Sequence, residues 1–171
     1  MSSLNKDLPN IFECKICIIG LGYVGLPLAI ELVKTKICKR TGNKINREIL
    51  GFDIDKFRIS QLKKCHDSTK ELNINERSFL NKIKFTNNIN SIFDADVFIV
   101  TVPTPIDTQK TPDLKPLKLA SKTIAQCFNK SKEKANRFFN KRKLIIFEST
   151  VFPGATDEIC IPIIEKEANL K

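Results

Sequence analysis

A chain of 171 residues that is 42% hydrophobic has the size of one ordinary globular domain and enough apolar side chains to bury a core, so a second full domain is not expected. Its 29 Lys and Arg against 19 Asp and Glu give a formal charge of +10, which suits an anionic partner, but the basic runs carry few aromatics and match no nucleic-acid reading module, so no nucleic-acid partner is expected. Six cysteines over this length do not make the dense framework of a disulfide-stapled secreted domain, and the N-terminus lacks a basic stretch leading into an apolar core; the expected compartment is the reducing cytoplasm.

Residues 1–13 read as an N-terminal tail and 14–171 as the folded domain. KICIIG is a short apolar run fit for a strand buried on both faces, and VGLPLAIELVK then shows helical spacing. From Ile16 to Val33 the only charge is Glu31, yet Gly20, Gly22, Gly25 and Pro27 suit a lipid-exposed helix poorly, so no membrane span is expected. ILGFDI reads as a second strand, FRISQLKK as a helix, IKFT as a third strand and DVFIVTVP as a fourth, bounded by PTP. LKPLKLASKTIAQCF reads as a helix, KLIIFES as a fifth strand, and ATDEICIPIIEKEA as a last helix with Pro162 near its start. This alternation implies an α/β architecture: parallel strands, right-handed crossovers and helices on both faces. Residues 34–47 hold six basic residues and no acid, and residues 130–143 hold seven and one. Both runs lead from a helix into a strand, so their charge is expected at the edge where strands begin, away from the edge where such sheets bind ligands.

Gly20-Leu-Gly22-Tyr-Val-Gly25 fits G-x-G-x-x-G in the context that matters, after a buried strand and at the opening of a helix. Gly20 permits the tight turn, Gly22 lets backbone approach a pyrophosphate, and Gly25 lets helix and sheet pack closely. The free amides and positive end of the helix then face the phosphates. The pattern predicts a Rossmann-type doubly wound, mostly parallel sheet of five or six strands that binds NAD. Asp53, at the end of the second strand, is the expected acceptor for the adenosine ribose; it stands 28 residues after Gly25, against the usual gap of about twenty, because the basic insert lengthens the connection. Asp55 competes for that role. An acid at this point favours NAD over NADP, since a 2′-phosphate would meet a like charge, although Arg58 could contact the adenosine side or help tolerate NADP.

KICIIGLGYVGLPLAIEL, GFDIDKFRI, FIVTVPTPID, TPDLKPL and LIIFESTVFPGAT together resemble the N-terminal domain of the nucleotide-sugar 6-dehydrogenases, over residues 14–168 or so. The last two motifs are most similar to the UDP-N-acetylglucosamine and UDP-N-acetylmannosamine branch, which serves bacterial capsule and O-antigen synthesis. The resemblance implies an NAD-dependent oxidation of a C6 alcohol to a uronic acid in two hydride transfers, through a cysteine-bound intermediate. Carried over by position, it implies that Tyr23 and Val24 contact the pyrophosphate region, Asp53 and Arg58 the adenosine end, and Val102, Pro103, Thr104, Pro105 and Ile106 the nicotinamide side. Ser149 and Thr150 follow the fifth strand, and Thr150 matches the family's active-site threonine. Read from the residues alone, turn or capping work is the better account of the Thr104 and Thr150 hydroxyls, and pairing with backbone donors or a neighbouring cation that of Glu148.

The family's helical dimer-forming linker and its UDP-sugar domain, which carries the nucleophilic cysteine, have no counterpart in these residues. The chain by itself is therefore expected to bind NAD without turning over a UDP-sugar, and to form a homodimer only where that linker is present. Stand-alone NAD binding, as a sensor or partner subunit, is the competing expectation; a different dehydrogenase built on the same cofactor domain is a third. No metal site is expected: His66 is the only histidine, and Cys14 and Cys17, three apart on a strand, point to opposite faces. Cys38, Cys65, Cys127 and Cys160 read as small apolar side chains. Cys65 stands where relatives tend to carry glycine, which puts the turn after the second helix in question.

Overall fold

The computed structural model describes residues 8–106, 111–133 and 142–170. Residues 1–7 of the tail, 107–110 and 134–141 of the second basic run lie outside the described residues. Five parallel strands, β1 (Lys15–Ile19), β2 (Glu48–Phe52), β3 (Lys84–Thr86), β4 (Val97–Val100) and β5 (Leu144–Phe147), form one sheet in the order β3-β2-β1-β4-β5. The helices are α1 (Gly25–Lys34), α2 (Lys56–Lys63), α3 (Ile74–Arg77), α4 (Lys115–Glu133) and α5 (Ile161–Ala168). The chain is a Rossmann-type fold.

Alternation along β1 explains the two layers. Ile16 and Ile18 join Leu26, Ile30 and Val33 of α1 and Ile59 and Leu62 of α2 in one core; Cys17 and Ile19 join Leu117, Ile124 and Cys127 of α4 and Ile164 of α5 in the other. Cys14 packs in the first layer, so it and Cys17 lie on opposite sides of the sheet. Each fully buried Leu or Ile contributes about 1.5–3 kcal/mol relative to exposure, which is why the inner strands β1, β2 and β4 carry no charge beyond the opening residues Lys15 and Glu48. Pro27 is harmless in α1, because its missing N–H falls in the first turn, where amides lack intrahelical partners.

Strand ends and caps differ in detail from the pattern reading. β2 stops at Phe52, two residues short of the expected Ile54, because Asp55 leaves the strand to cap α2; its carboxylate accepts from Phe57 N at 2.8 Å and Arg58 N at 3.3 Å. α4 runs on to Glu133, absorbing the start of the second basic run. α3 opens with a reciprocal capping box between Asn73 and Glu76. The last helix is not α-helical throughout: residues Thr156–Cys160 form a π-helical turn that leads directly into α5. Pro162 has no N–H to offer and its ring would press on the carbonyl four residues back, so a wider turn before it relieves the clash.

Cations collect where strands start. Lys15 Nζ lies 2.7 Å from Asp94 and 3.5 Å from Glu48, Lys84 Nζ lies 2.7 Å from Glu48, and Lys143 Nζ donates to the Ala95 and Phe93 carbonyls. Residues 34–47 fill the connection into β2 and are held there by Asn46 N–H on Phe12 O and Arg47 Nε on Ile11 O.

The turn after α2 answers the question posed by Cys65. Cys65 N–H donates to Leu62 O and His66 N–H to Gln61 O, a Schellman closure, and Cys65 sits at its left-handed position with φ 56°. The closure returns the chain so that Asp67 meets Arg58 of α2. Asp67 Oδ1 takes Arg58 Nη1 at 3.0 Å and the Thr69 hydroxyl at 2.8 Å, and Oδ2 takes Leu72 N at 3.0 Å. Burial pushes the Asp67 carboxyl up, but the Thr69 hydroxyl, the Leu72 amide and Arg58 outweigh it and hold it below the usual carboxylate range.

Cys65→Gly is expected to raise stability by about 0.5–1 kcal/mol, since an exposed L residue in the left-handed region is strained; urea unfolding measures it, and an unchanged midpoint would show the position unstrained. Asp67→Asn leaves a buried guanidinium without its counter-charge and is expected to cost about 3–5 kcal/mol at pH 7. Because the folded carboxyl titrates below its unfolded value, its contribution is complete above about pH 4 and is lost as pH falls through the folded value. The gap between wild type and Asp67→Asn in a pH series of unfolding curves therefore closes on acidification.

Candidate cofactor site

The strand order reverses between β1 and β4, so the chain leaves these neighbours toward opposite faces and a crevice opens beyond their ends. The glycine turn occupies it. Gly20 has φ +95°, available to glycine at no cost, and its N–H continues the ladder to Phe52 O at 2.9 Å. Gly25 has no room for a side chain, since a methyl there would lie 1.9 Å from Gly20 O and 2.4 Å from Thr101 Oγ1. Gly22 is different: a methyl there would meet nothing within 4 Å. Its bare backbone faces open space, as an approaching ligand requires. Among the described residues no acceptor takes the amides of Gly22, Tyr23, Val24 or Gly25, and the first turn of α1 carries no acid. Four donors and the positive end of the helix dipole are thus presented together.

Beside the turn lies a cleft of about 520 Å³, which brings together Gly20, Gly22, Asp53, Arg58, Val102 and Pro103. Asp53 is half-buried; its Oδ2 accepts from Leu21 N at 2.8 Å and its Oδ1 from Asp55 N at 3.0 Å. Each oxygen keeps a second lone pair, so the carboxylate can still accept ribose hydroxyls. Asp55 lines the cleft as well, with its Oδ1 engaged in the α2 cap. Arg58 lines the cleft but is 7% exposed, and four of its five N–H donors go to Leu21 O, Asp67, Ser68 and Thr69. It does not stand as a free cation to receive a 2′-phosphate.

Tyr23, Val24, Thr104, Pro105, Ser149 and Thr150 lie outside the cleft lining. Tyr23 and Val24 are exposed on the turn, and Ile106 is exposed past β4. The hydroxyls stitch β4 and β5 together where they end: Thr104 Oγ1 donates to Thr150 O at 2.6 Å, and Ser149 Oγ to Val102 O at 2.7 Å. Thr150 is exposed, and Glu148 is exposed with its N–H in the ladder to Val100 O.

Several cleft residues escape a pattern reading. Ile54 and Phe57, 65% and 70% exposed, form one apolar wall, and Leu119 and Thr123 of α4 line the cleft too. An aromatic two residues after the Asp55 cap is the sequence signal for this wall. Thr101 gives a fainter one, a lone hydroxyl closing the apolar run of β4; it is buried and its Oγ1 donates to Gly20 O at 2.7 Å. The cradle fits a dinucleotide: open amides for phosphates, an acid for a ribose, apolar walls for rings.

Comparison with known proteins agrees with this geometry. Residues 14–171 match the model of the UDP-glucose/GDP-mannose dehydrogenase family, NAD binding domain. A UDP-N-acetyl-D-glucosamine 6-dehydrogenase of Pseudomonas aeruginosa is 42% identical over 159 residues, covering 93% of this chain and 32% of the relative. One of Salmonella typhi is 40% identical, covering 94% and 33%. Among solved structures, a UDP-D-ManNAc dehydrogenase of Pyrococcus horikoshii superposes with a TM-score of 0.71 at 27% identity, over 92% of this chain and 33% of that one. The chain thus spans about a third of the length of the relatives it matches. NAD is the cofactor the cradle is built for, and the chain belongs to the UDP-glucose/GDP-mannose dehydrogenase family as its NAD-binding domain.

Proposed function

We propose that this chain supplies the cofactor site of an enzyme that oxidises the C6 alcohol of a UDP-N-acetylhexosamine to the uronic acid, in the cytoplasm and for capsule or O-antigen polysaccharide. The observation that carries the reading is the row of unpartnered amides from Gly22 to Gly25 beside Asp53. The sugar class rests on the names of the relatives at 40–42% identity, and the compartment is in keeping with the absence of any helix among the described residues long and apolar enough to cross a membrane.

The residues divide the work. The amides of Gly22, Tyr23 and Val24 hold the diphosphate, at the positive end of α1. Asp53 accepts from the adenosine ribose between the apolar faces of Ile54 and Phe57, and its charge opposes a 2′-phosphate. Val102 to Pro105, Ser149 and Thr150 border the nicotinamide end, with Thr150 nearest the chemistry. When bound, NAD supplies the hydride acceptor for an alcohol. Selective stabilisation of that reaction's transition state calls for groups that hold the sugar, and these are assigned to a further part of the enzyme. The chain alone is therefore read as binding NAD without turnover.

Fluorescence titration with NADH and NADPH tests the site. NADH binds more tightly than NADPH, and Asp53→Ala weakens NADH about tenfold or more, as expected for loss of a charged hydrogen-bond acceptor. Gly22→Ala blocks the approach to the amides and also weakens NADH about tenfold, yet leaves unfolding within about 0.5 kcal/mol of wild type, because its methyl enters open space. Equal affinity of all three proteins for both nucleotides would remove the site. Catalysis is tested by following NAD reduction with UDP-N-acetyl-D-glucosamine: no turnover by the chain alone, and turnover on adding the segment that makes up the remainder of the relatives' length. Turnover of another small alcohol by the chain alone would favour a different dehydrogenase.

A further inference from the structure

The two peptide groups flanking Leu21 are gripped from outside the glycine turn. At one end of the first, Gly20 O accepts from Thr101 Oγ1 at 2.7 Å; at the other, Leu21 N–H donates to Asp53 Oδ2 at 2.8 Å. The second is held at one end only. Leu21 O accepts from Arg58 Nε at 3.1 Å, while the Gly22 N–H has no acceptor among the described residues. In a planar trans peptide the carbonyl and the amide point in opposite directions. Fixing Leu21 O against Arg58 therefore turns the Gly22 N–H away from the guanidinium, on a residue that lines the cleft.

Neither holder is free to drift. Thr101 is buried at the end of β4, where its own N–H donates to Ile19 O at 2.9 Å. Its single hydroxyl proton has Ile19 O at 3.2 Å as the poorer alternative to Gly20 O. Arg58 is fixed by Asp67, Ser68 and Thr69 on its remaining nitrogens. The missing side chain at Gly25 leaves the space that the Thr101 hydroxyl occupies.

We propose that Thr101, together with Arg58, is a positioning residue: the pair clamps two consecutive peptide planes and so aims the Gly22 amide at a dinucleotide phosphate. The proposal rests on reading the cleft as an NAD site. Thr101 reaches the cofactor only through the Gly20–Leu21 peptide, and Arg58 acts on it through Leu21 O rather than by offering charge to the adenosine.

The test compares 15N-labelled wild type, Thr101→Ala, Thr101→Ser and Arg58→Lys by two readouts: the Gly22 amide resonance without ligand, and NADH affinity by fluorescence titration. Thr101→Ala is expected to move the Gly22 resonance and weaken NADH about tenfold, and Thr101→Ser, which keeps the hydroxyl, to restore both. Arg58→Lys keeps the charge but lacks the planar fork, so it behaves like Thr101→Ala and gains no affinity for NADPH. Ala and Ser variants that bind NADH within about twofold of each other, with the same Gly22 resonance, would overturn the clamp. Failure of the wild type to bind NADH would instead remove the reading of the site, and the Gly22 resonance would still decide the clamp. Where Thr101→Ala does not fold, Arg58→Lys carries the same two readouts, and a Gly22 signal and NADH affinity unmoved by it overturn the proposal.

Discussion

The structure turns on how closely α1 must approach the ends of β1 and β4. A single methyl on Gly25 would lie 1.9 Å from Gly20 O, a distance at which something must move, and both that carbonyl and Thr101 Oγ1 are backed by packed strands. The helix would have to yield, and with it the amides of its first turn. Fold and site therefore share the same few ångströms at Gly20 and Gly25. They separate only at Gly22, where the backbone faces open space.

This crowding explains the division of charge. Lys15, Lys84 and Lys143 lie where strands begin, the first two paired with Asp94 and Glu48 and the third on backbone carbonyls. At the opposite edge the cleft carries the acids Asp53 and Asp55 and a single arginine whose charge is answered by Asp67. The formal charge of +10 is thus no measure of how the chain holds an anion. The open donors beside the cleft are neutral amides at a helix end, which keep their geometry without long side chains to immobilise.

Much of this was legible in the residues. Five strands, the turn at Gly20 and the acid at Asp53 follow from apolar runs, glycine spacing and their order, because each is a local signal. The role of Arg58 was not. Its position after GFDID suggests a contact with the adenosine, but its partners are Leu21, 37 residues back, and Asp67 to Thr69, nine to eleven ahead. No periodicity links such positions, and only the Schellman turn at Cys65 makes the second set reachable. Cys65 is the instructive case: a cysteine in place of glycine looks like a broken turn, yet the closure forms around it with φ 56°. The hydrogen bonds of the turn outweigh the local strain. The π-helical turn before Pro162 is a similar compromise, a helix kept going past a proline by widening rather than stopping.

The hydroxyls between β4 and β5 extend the rigidity of the sheet past its last strand residues. Thr104 on Thr150 O and Ser149 on Val102 O replace the ladder where the strands run out. They hold two loop ends at a fixed distance on the open side of the cofactor cradle. Such bonds spend the Ser149 and Thr104 protons on backbone but leave the Thr150 side chain exposed. The rim of the cradle is thus a braced frame with the Thr150 hydroxyl on its outer side. Bracing of this kind matches the rest of the cofactor site, where the crowded glycines Gly20 and Gly25 leave the backbone no slack.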